Sequence, residues 1–330
     1  MDYAVLSRYR PELMGFAMLW VMLFHAFDLS FGVPVLDFLR SAGFGGVDIF
    51  ILVSAMGLAM SLDRKDQPYG EFMTRRAARI LPGYYLVMLP YTLWCVARGT
   101  AFLSTLVWNS GLVSYWINCK GKFNWYVTGI MIFYALTPWC FRRLKQSRHR
   151  EILVGGGVAL GLLVCQILMR DGYWNHLDIM YRFPIFFVGL LLGLYIRQGR
   201  KVGWKDGLFW CVSLALGGVY LLARGRVSES VIHLPLCHLF VFTTVPMCLL
   251  GGWLFDHLPL GWLRKGLRLV GENSLEIYLL NVSFFAETGF LRQLVPFFNT
   301  HTYYFVSILL NIVLGVALHQ VLERLTQRKA

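Results

Sequence analysis

Charge is scarce in this sequence. Only 15% of its 330 residues are Asp, Glu, Lys or Arg, where a soluble domain carries about 25%. No polar stretch is long enough to make a soluble domain, which excludes a soluble enzyme held by a single anchor. Cysteine pairs are absent as well. Cys95, Cys119, Cys140, Cys165, Cys211, Cys237 and Cys248 fall mostly within or at the ends of apolar runs, and none forms a CxxC pair. Neither a disulfide framework nor a zinc site is indicated. His233 and His238, five residues apart without nearby carboxylates, make no zinc pair either. There is no obvious internal repeat, and no small-residue cleavage pattern follows the first apolar run, which is expected to act as an uncleaved first span.

Apolar residues fill the space that charge leaves. They make up 57% of the chain, with 16% aromatic, and are spread over its whole length. A span needs about 20 apolar residues. The sequence predicts an all-α, polytopic membrane protein with ten spans, near 11–30, 44–62, 80–97, 123–141, 151–169, 182–197, 206–223, 235–255, 273–290 and 302–322. Residues 98–122 have room for a re-entrant segment. With the N-terminus in the cytoplasm, 22 of the 31 Lys and Arg residues fall on the inner side. That bias is the positive-inside rule, and it predicts both termini inside. It also accounts for the net charge of +13 without nucleic acid as a partner. Residues 1–330 read as a single integral-membrane domain.

Four groups of polar residues interrupt this pattern. The first is His25, within LWVMLFHAFDLSF, residues 19 to 31. At about 1.5 Å per residue, it lies roughly 21 Å from the inner face. Asp48, in the antiparallel second span, lies roughly 24 Å from that face. The pair is expected to hydrogen-bond, Asp48 fixing the imidazole tautomer and leaving the other ring nitrogen as a base. The bland alternative is a histidine that only bridges helices, with a solvated aspartate. The second group, Arg75, Arg76 and Arg79 in TRRAARILPGYY, suits phosphate oxygens, or simply anchors the topology. The third, in GENSLEIYLLNVSFF, contains Glu276, which either binds substrate or serves the helix start, and Asn281, which needs a partner within the membrane. The fourth comprises the aromatic outer segments 108–126 and 170–183. Asn124, Trp125 and Tyr126 there suit a carbohydrate, or belong to an interfacial aromatic belt.

Taken in order, RPELMGFAMLWVMLFH, GGVDIFILVSAMGL, RRAARILPGYY, FNWYVTGIMIFYALTP, RFPIFFVGLLLG and NSLEIYLLN resemble the acyltransferase-3 family of bacterial integral-membrane acyltransferases, over almost the whole chain. The resemblance implies transfer of an acyl group, usually acetyl, from cytoplasmic acyl-CoA to a hydroxyl of an exported or envelope polysaccharide. The enzyme would be multi-pass in the bacterial cytoplasmic membrane, in contact with lipid. Acyl-CoA would be a co-substrate, with no tightly bound cofactor and no metal.

The family's catalytic histidine matches His25. The family arginine eleven residues earlier corresponds to Met14, which leaves its task to Arg10 or to Arg75, Arg76 and Arg79. A histidine frequent at the end of the ninth-span motif is replaced by Asn281. Asn124, Tyr126 and Ser54 are candidate oxyanion donors. Direct transfer with His25 as base and transfer through a covalent His25 intermediate are both compatible with the residues. The competing reading is a transporter or flippase for a lipid-linked sugar or another envelope precursor.

Overall fold

The computed structural model describes residues 1–117, 125–173, 176–227, 232–285 and 297–327. Among these the chain is helical, and its sole β pairing is an isolated bridge between Asp2 and Lys201. In order, the helices are α1 (Ala4–Arg8), α2 (Arg10–Phe24), α3 (Pro34–Ser41), α4 (Gly46–Arg64), α5 (Tyr69–Ala97), α6 (Ser104–Ser110), α7 (Ser114–Ile117) and α8 (Trp125–Gln146). There follow α9 (Arg150–Arg170), α10 (Leu177–Met180), α11 (Phe183–Arg197), α12 (Trp204–Arg224), α13 (Leu239–His257), α14 (Gly261–Glu272), α15 (Ser274–Leu280) and α16 (Thr300–Gln327).

Each of the ten expected spans contains helix. Seven are long and apolar enough to cross a membrane: Gly43–Arg64, Tyr69–Ala97, Arg150–Arg170, Leu177–Arg197, Trp204–Arg224, Leu236–His257 and Thr300–Leu325. The others depart from the expected bounds for local reasons. α2 has 15 residues and stops at Phe24 rather than at 30, because the chain turns at Ala26, whose carbonyl accepts the amide of Leu29. α8 gathers basic residues in its last turn. The ninth is a short apolar helix, Ser274–Phe285, set off from α14 by Asn273 and ending in a π-helical turn over Asn281–Phe285. α5 starts at Tyr69, well before the expected 80, behind Pro68 and with Glu71 in its first turn, a carboxylate that the helix N-terminus favours. Arg75, Arg76 and Arg79 therefore lie on a helix rather than in a loop.

Small residues let the central helices touch backbone to backbone, the packing that apolar solvent rewards. Gly189 and Gly193, one turn apart on α11, lie against α4. A Cβ at Gly189 would stand 2.7 Å from the Leu52 carbonyl oxygen, and one at Gly193 would stand 2.6 Å from that of Met56. Gly15 of α2 and Gly271 of α14 meet the Leu267 and Pro11 carbonyls in the same way.

Ion pairs tie the connections together at one end of the bundle. Asp63 accepts Lys145 at 2.8 Å and Arg197 at 3.1 Å, Arg200 holds Asp206 and Glu151, Arg8 holds Asp256, and Arg268 holds the buried Glu12 at 2.8 Å. These are the segments whose basic residues the sequence assigned to one side.

At the other end, α6 and α7 fold back along α5. Tyr84 and Tyr85, near the midpoint of α5, donate to the carbonyls of Asn109 and Ser110 at 2.8 and 2.9 Å, and buried Asn109 is held by Thr92 and Ser114. These short helices lie in the region 98–122, where the sequence left room for a re-entrant segment. The amphipathic α3 lies across the end of α2, with Trp20 donating to the Leu39 carbonyl and Arg40 to that of Ala26. Asp37, on its first turn, accepts the Phe31 amide and the Ser30 hydroxyl; chiefly the former holds its carboxyl below the usual carboxylate range.

Candidate active site

Two cavities lie inside the bundle and share a wall. The first, about 350 Å³, is lined by Arg10 and Met14 of α2, Ser54 and Gly57 of α4, Arg76 and Arg79 of α5, Tyr134 of α8, Glu276 of α15 and His319 of α16. The second, about 290 Å³, is lined by Phe24 and His25, Phe44, Trp125, Asp178, Arg182 and Cys237. Val47 and Tyr278 line both. Tyr126, half-buried between Phe50 and Tyr278 with ring centroids 6.4 and 5.0 Å away, backs this shared wall on the arginine side. One helix thus contributes to both compartments: Arg10 and His25 stand fifteen residues apart on α2, roughly 22 Å at helical rise.

Arg10, Arg76 and Arg79 bring positive charge to the first cavity. Among the described residues no carboxylate pairs with Arg10, Arg76 or Arg79, and the Nε of Arg76 has no hydrogen-bond partner. The Arg10 guanidinium lies on Gly57, where a Cβ would come within 2.9 Å of Nη1. Three planar guanidinium groups, which suit phosphate oxygens, share this cavity with Glu272 and Glu276. Glu276, the acid in the cavity wall nearest α16, is engaged by His319, with Nδ1 3.2 Å from Oε1, and His319 reaches Glu323 at 3.4 Å on its other side. Arg75 does not line the cavity. It is exposed, pairs with Glu71 at 3.4 Å and bonds Gln67. Around the helix Arg79 lies between the other two, about 40° from Arg75 and 60° from Arg76, and it is Arg76 and Arg79 that line the cavity. Met14 and Arg10 are one turn apart and line the same cavity, so Arg10 brings a guanidinium into the compartment where Met14 supplies none.

In the other cavity the expected hydrogen bond between His25 and Asp48 is not made. Both carboxylate oxygens of Asp48 and the Nδ1 of His25 lack a hydrogen-bond partner. Asp48 instead faces Arg182, Nε to Oδ2 3.8 Å, with the two side chains 1% and 3% exposed. A buried carboxylate needs a countercharge more than a neutral ring does, and the α4–α11 contact supplies one. Arg182 is further held by the Asp178 carbonyl at 2.9 Å and lies 5.0 Å from the Trp125 ring centroid. The polar side chain next to His25 is Asn281. Phe24 and Phe27 pack edge-on to the imidazole at 5.3 and 6.0 Å.

The structure therefore brings His25 and Trp125 to one compartment, with Asn281 beside His25, and Arg10, Arg76, Arg79, Tyr126 and Glu276 to the other. Ser54 and Tyr126, taken from the sequence as candidate oxyanion donors, face the arginine cavity rather than the one lined by His25. Asn124 lies outside the described residues. Sequence reasoning missed Arg182, Asp178, His319 and Tyr278. Arg182 carried a signal, a charge opening the apolar run FPIFFVGLLLG, as did His319, a lone histidine four residues before Glu323 in the last span.

Fold and site define a multi-pass membrane protein in which a compartment lined by three arginines adjoins one lined by a half-buried histidine. The chain belongs to the acyltransferase-3 family, whose acyltransferase-domain profile matches residues 13–320. It is similar to the exopolysaccharide production protein ExoZ of Rhizobium meliloti (strain 1021), with 25% identity over 307 residues, 86% of this chain and 89% of that protein. No solved structure matches. The family places the chain among acyltransferases rather than transporters.

Proposed function

We propose that this protein transfers an acyl group, acetyl in the first instance, from cytoplasmic acyl-CoA to a hydroxyl of an exported or envelope polysaccharide. The observation that carries this reading is the pair of cavities that share Val47 and Tyr278, one lined by three arginines and the other by His25. The arginine compartment lies toward the basic end of the bundle, the end that the positive-inside rule puts in the cytoplasm, where acyl-CoA is found. Both termini are then cytoplasmic, and the enzyme is multi-pass in the bacterial inner membrane. The name of the similar exopolysaccharide protein supports a polysaccharide acceptor.

In this reading Arg10, Arg76 and Arg79 hold the phosphates of the donor, and its acyl-bearing arm passes Tyr278 to reach His25. Glu276 and His319 line the donor's compartment. The acceptor enters the histidine cavity, where Trp125 offers an aromatic face and Arg182 and Asp178 offer polar ones. The acceptor hydroxyl attacks the thioester carbonyl while His25 takes its proton. The tetrahedral intermediate collapses, the carbon–sulfur bond breaks, and His25 returns the proton to the leaving thiolate. His25 lies at the C-terminus of α2, the end of a helix that favours the transient imidazolium. Asp48 acts at one remove, by fixing Arg182 in the cavity wall.

Inverted membrane vesicles supplied with radiolabelled acetyl-CoA and native glycan test this reading. Label is expected in the glycan with the wild type and not with His25→Ala at matched protein level. Absence of label from any acyl-CoA offered would refute the donor, and equal label in both would remove His25 from the chemistry.

A further inference from the structure

A polar seam runs along the inner face of α16. Tyr303, Ser307, Asn311 and His319 recur at multiples of four residues, with Gly315 completing the series, and so share one stripe of the helix. Two contacts fix its register against the ninth-span helix: the Tyr303 hydroxyl donates to the Phe285 carbonyl, and Gly315 packs on Ile277. Ser307 and Asn311, between these points, are therefore abreast of the π-helical turn that begins at Asn281. Asn311 also reaches α2, with Nδ2 3.2 Å from the Sδ of Met22, three residues before His25.

The seam is buried and incompletely paired. Asn281, Ser307 and Asn311 are 5%, 4% and 0% exposed. Asn281 Oδ1, Ser307 Oγ, Asn311 Oδ1 and His25 Nδ1 are all buried without a hydrogen-bond partner. Most buried polar groups are paired, and each one left unpaired costs about 1–3 kcal/mol. Four in one place, between three helices that converge on the histidine, are hard to retain as packing alone. The π turn points the same way, since such turns cluster at functional sites. Two of the unpaired atoms are amide oxygens, which accept only, so the complementary form of His25 presents Nδ1–H.

We propose that Asn281 and Asn311 are positioning residues for His25: the Asn281 amide oxygen accepts the Nδ1 proton, and Asn311, with Ser307, braces Asn281 and α2 so that Nε2 is the nitrogen presented to the reacting hydroxyl. The proposal rests on His25 being the base. It assigns to a neutral amide the orienting task that Asp48, engaged by Arg182, does not perform. An amide fixes the tautomer without the electrostatic hold a carboxylate would place on the imidazolium, so the proton is easily passed on to the thiolate. The other titratable or charged groups facing the same cavity are Asp178, Arg182, Cys237 and Tyr278, and the variants below leave all of them in place.

The vesicle assay with acetyl-CoA and native glycan, run on the full chain across pH, decides the matter. Asn281→Leu and Asn311→Leu are expected to lower the maximal rate by roughly 10- to 100-fold, within the contribution of a general base, with the KM for acetyl-CoA unchanged. Asn281→Asp, nearly isosteric, sets a carboxylate beside the ring, which favours the imidazolium and moves the rising limb of the pH–rate profile to higher pH. Wild-type rates and profiles in all three variants, with His25→Ala inactive, would overturn the inference and leave the base reading standing. An active His25→Ala would overturn both. Should the leucine variants fail to fold, an unshifted limb in Asn281→Asp overturns the inference alone.

Discussion

Asp48 and Arg182 face each other at 3.8 Å inside the bundle, without a hydrogen bond between them and with almost no exposure to solvent. Neither charge is tolerable there alone. Asp48→Asn leaves Arg182 buried and unpaired, and breaking such a pair costs about 3–5 kcal/mol. Replacing both, as Asp48→Leu with Arg182→Met, restores most of that stability, since a buried ion pair is often no better than apolar packing. Thermal unfolding of the detergent-solubilised protein measures both variants. A single mutant as stable as the wild type would show that the pair carries no structural weight.

Gly57 is the floor on which Arg10 lies, and a Cβ there would stand 2.9 Å from Nη1. The guanidinium is the far end of a flexible side chain, so Gly57→Val displaces it rather than unfolding α4. The expected result is a KM for acyl-CoA raised by roughly tenfold with the maximal rate little changed, the signature of lost ground-state binding. An unchanged KM would remove Arg10 from the donor site.

Of the three arginines of α5, Arg76 and Arg79 line the cavity and Arg75 does not. Arg76→Lys and Arg79→Lys keep the charge but lose the planar fork that matches phosphate oxygens, and each is expected to weaken acyl-CoA binding. Arg75→Ala removes an exposed pair with Glu71, worth about 0–1 kcal/mol, and is expected to leave KM and stability near wild type. A donor-binding defect in Arg75→Ala matching that of Arg76→Lys would mean the phosphate site extends beyond the cavity.

Gly193 packs on the Met56 carbonyl and the Ala59 methyl, so Gly193→Leu forces α11 away from α4. Arg182 opens α11 and Asp48 opens α4, which means the damage reaches the histidine cavity. Loss of folded protein is expected on gel filtration in detergent, while Gly207→Leu, whose Cβ meets open space, should elute as wild type.

Composition and spacing were enough to make this chain a polytopic helical protein, because an apolar run of membrane length has few other stable forms. Charge bias grouped the loops that the ion pairs do join at one end. The motifs carried the family, and they brought His25 and the α5 arginines forward as candidates. Partners were not legible. Asp48 and His25 match in depth along their helices, yet depth says nothing of rotation about the helix axis, and rotation turned Asp48 toward Arg182. Arg75, Arg76 and Arg79 look alike in a string, and only the fold shows that Arg76 and Arg79 line the cavity while Arg75 does not. Asn281 and Asn311 lie thirty residues apart in sequence, and only the register of α16, fixed at Tyr303 and Gly315, puts their helices side by side at that level. Local hydrophobicity is a property of short segments and is written in the sequence. Which polar side chains face one another is set by how helices rotate and pack on their glycines, and that was decided only in the folded bundle.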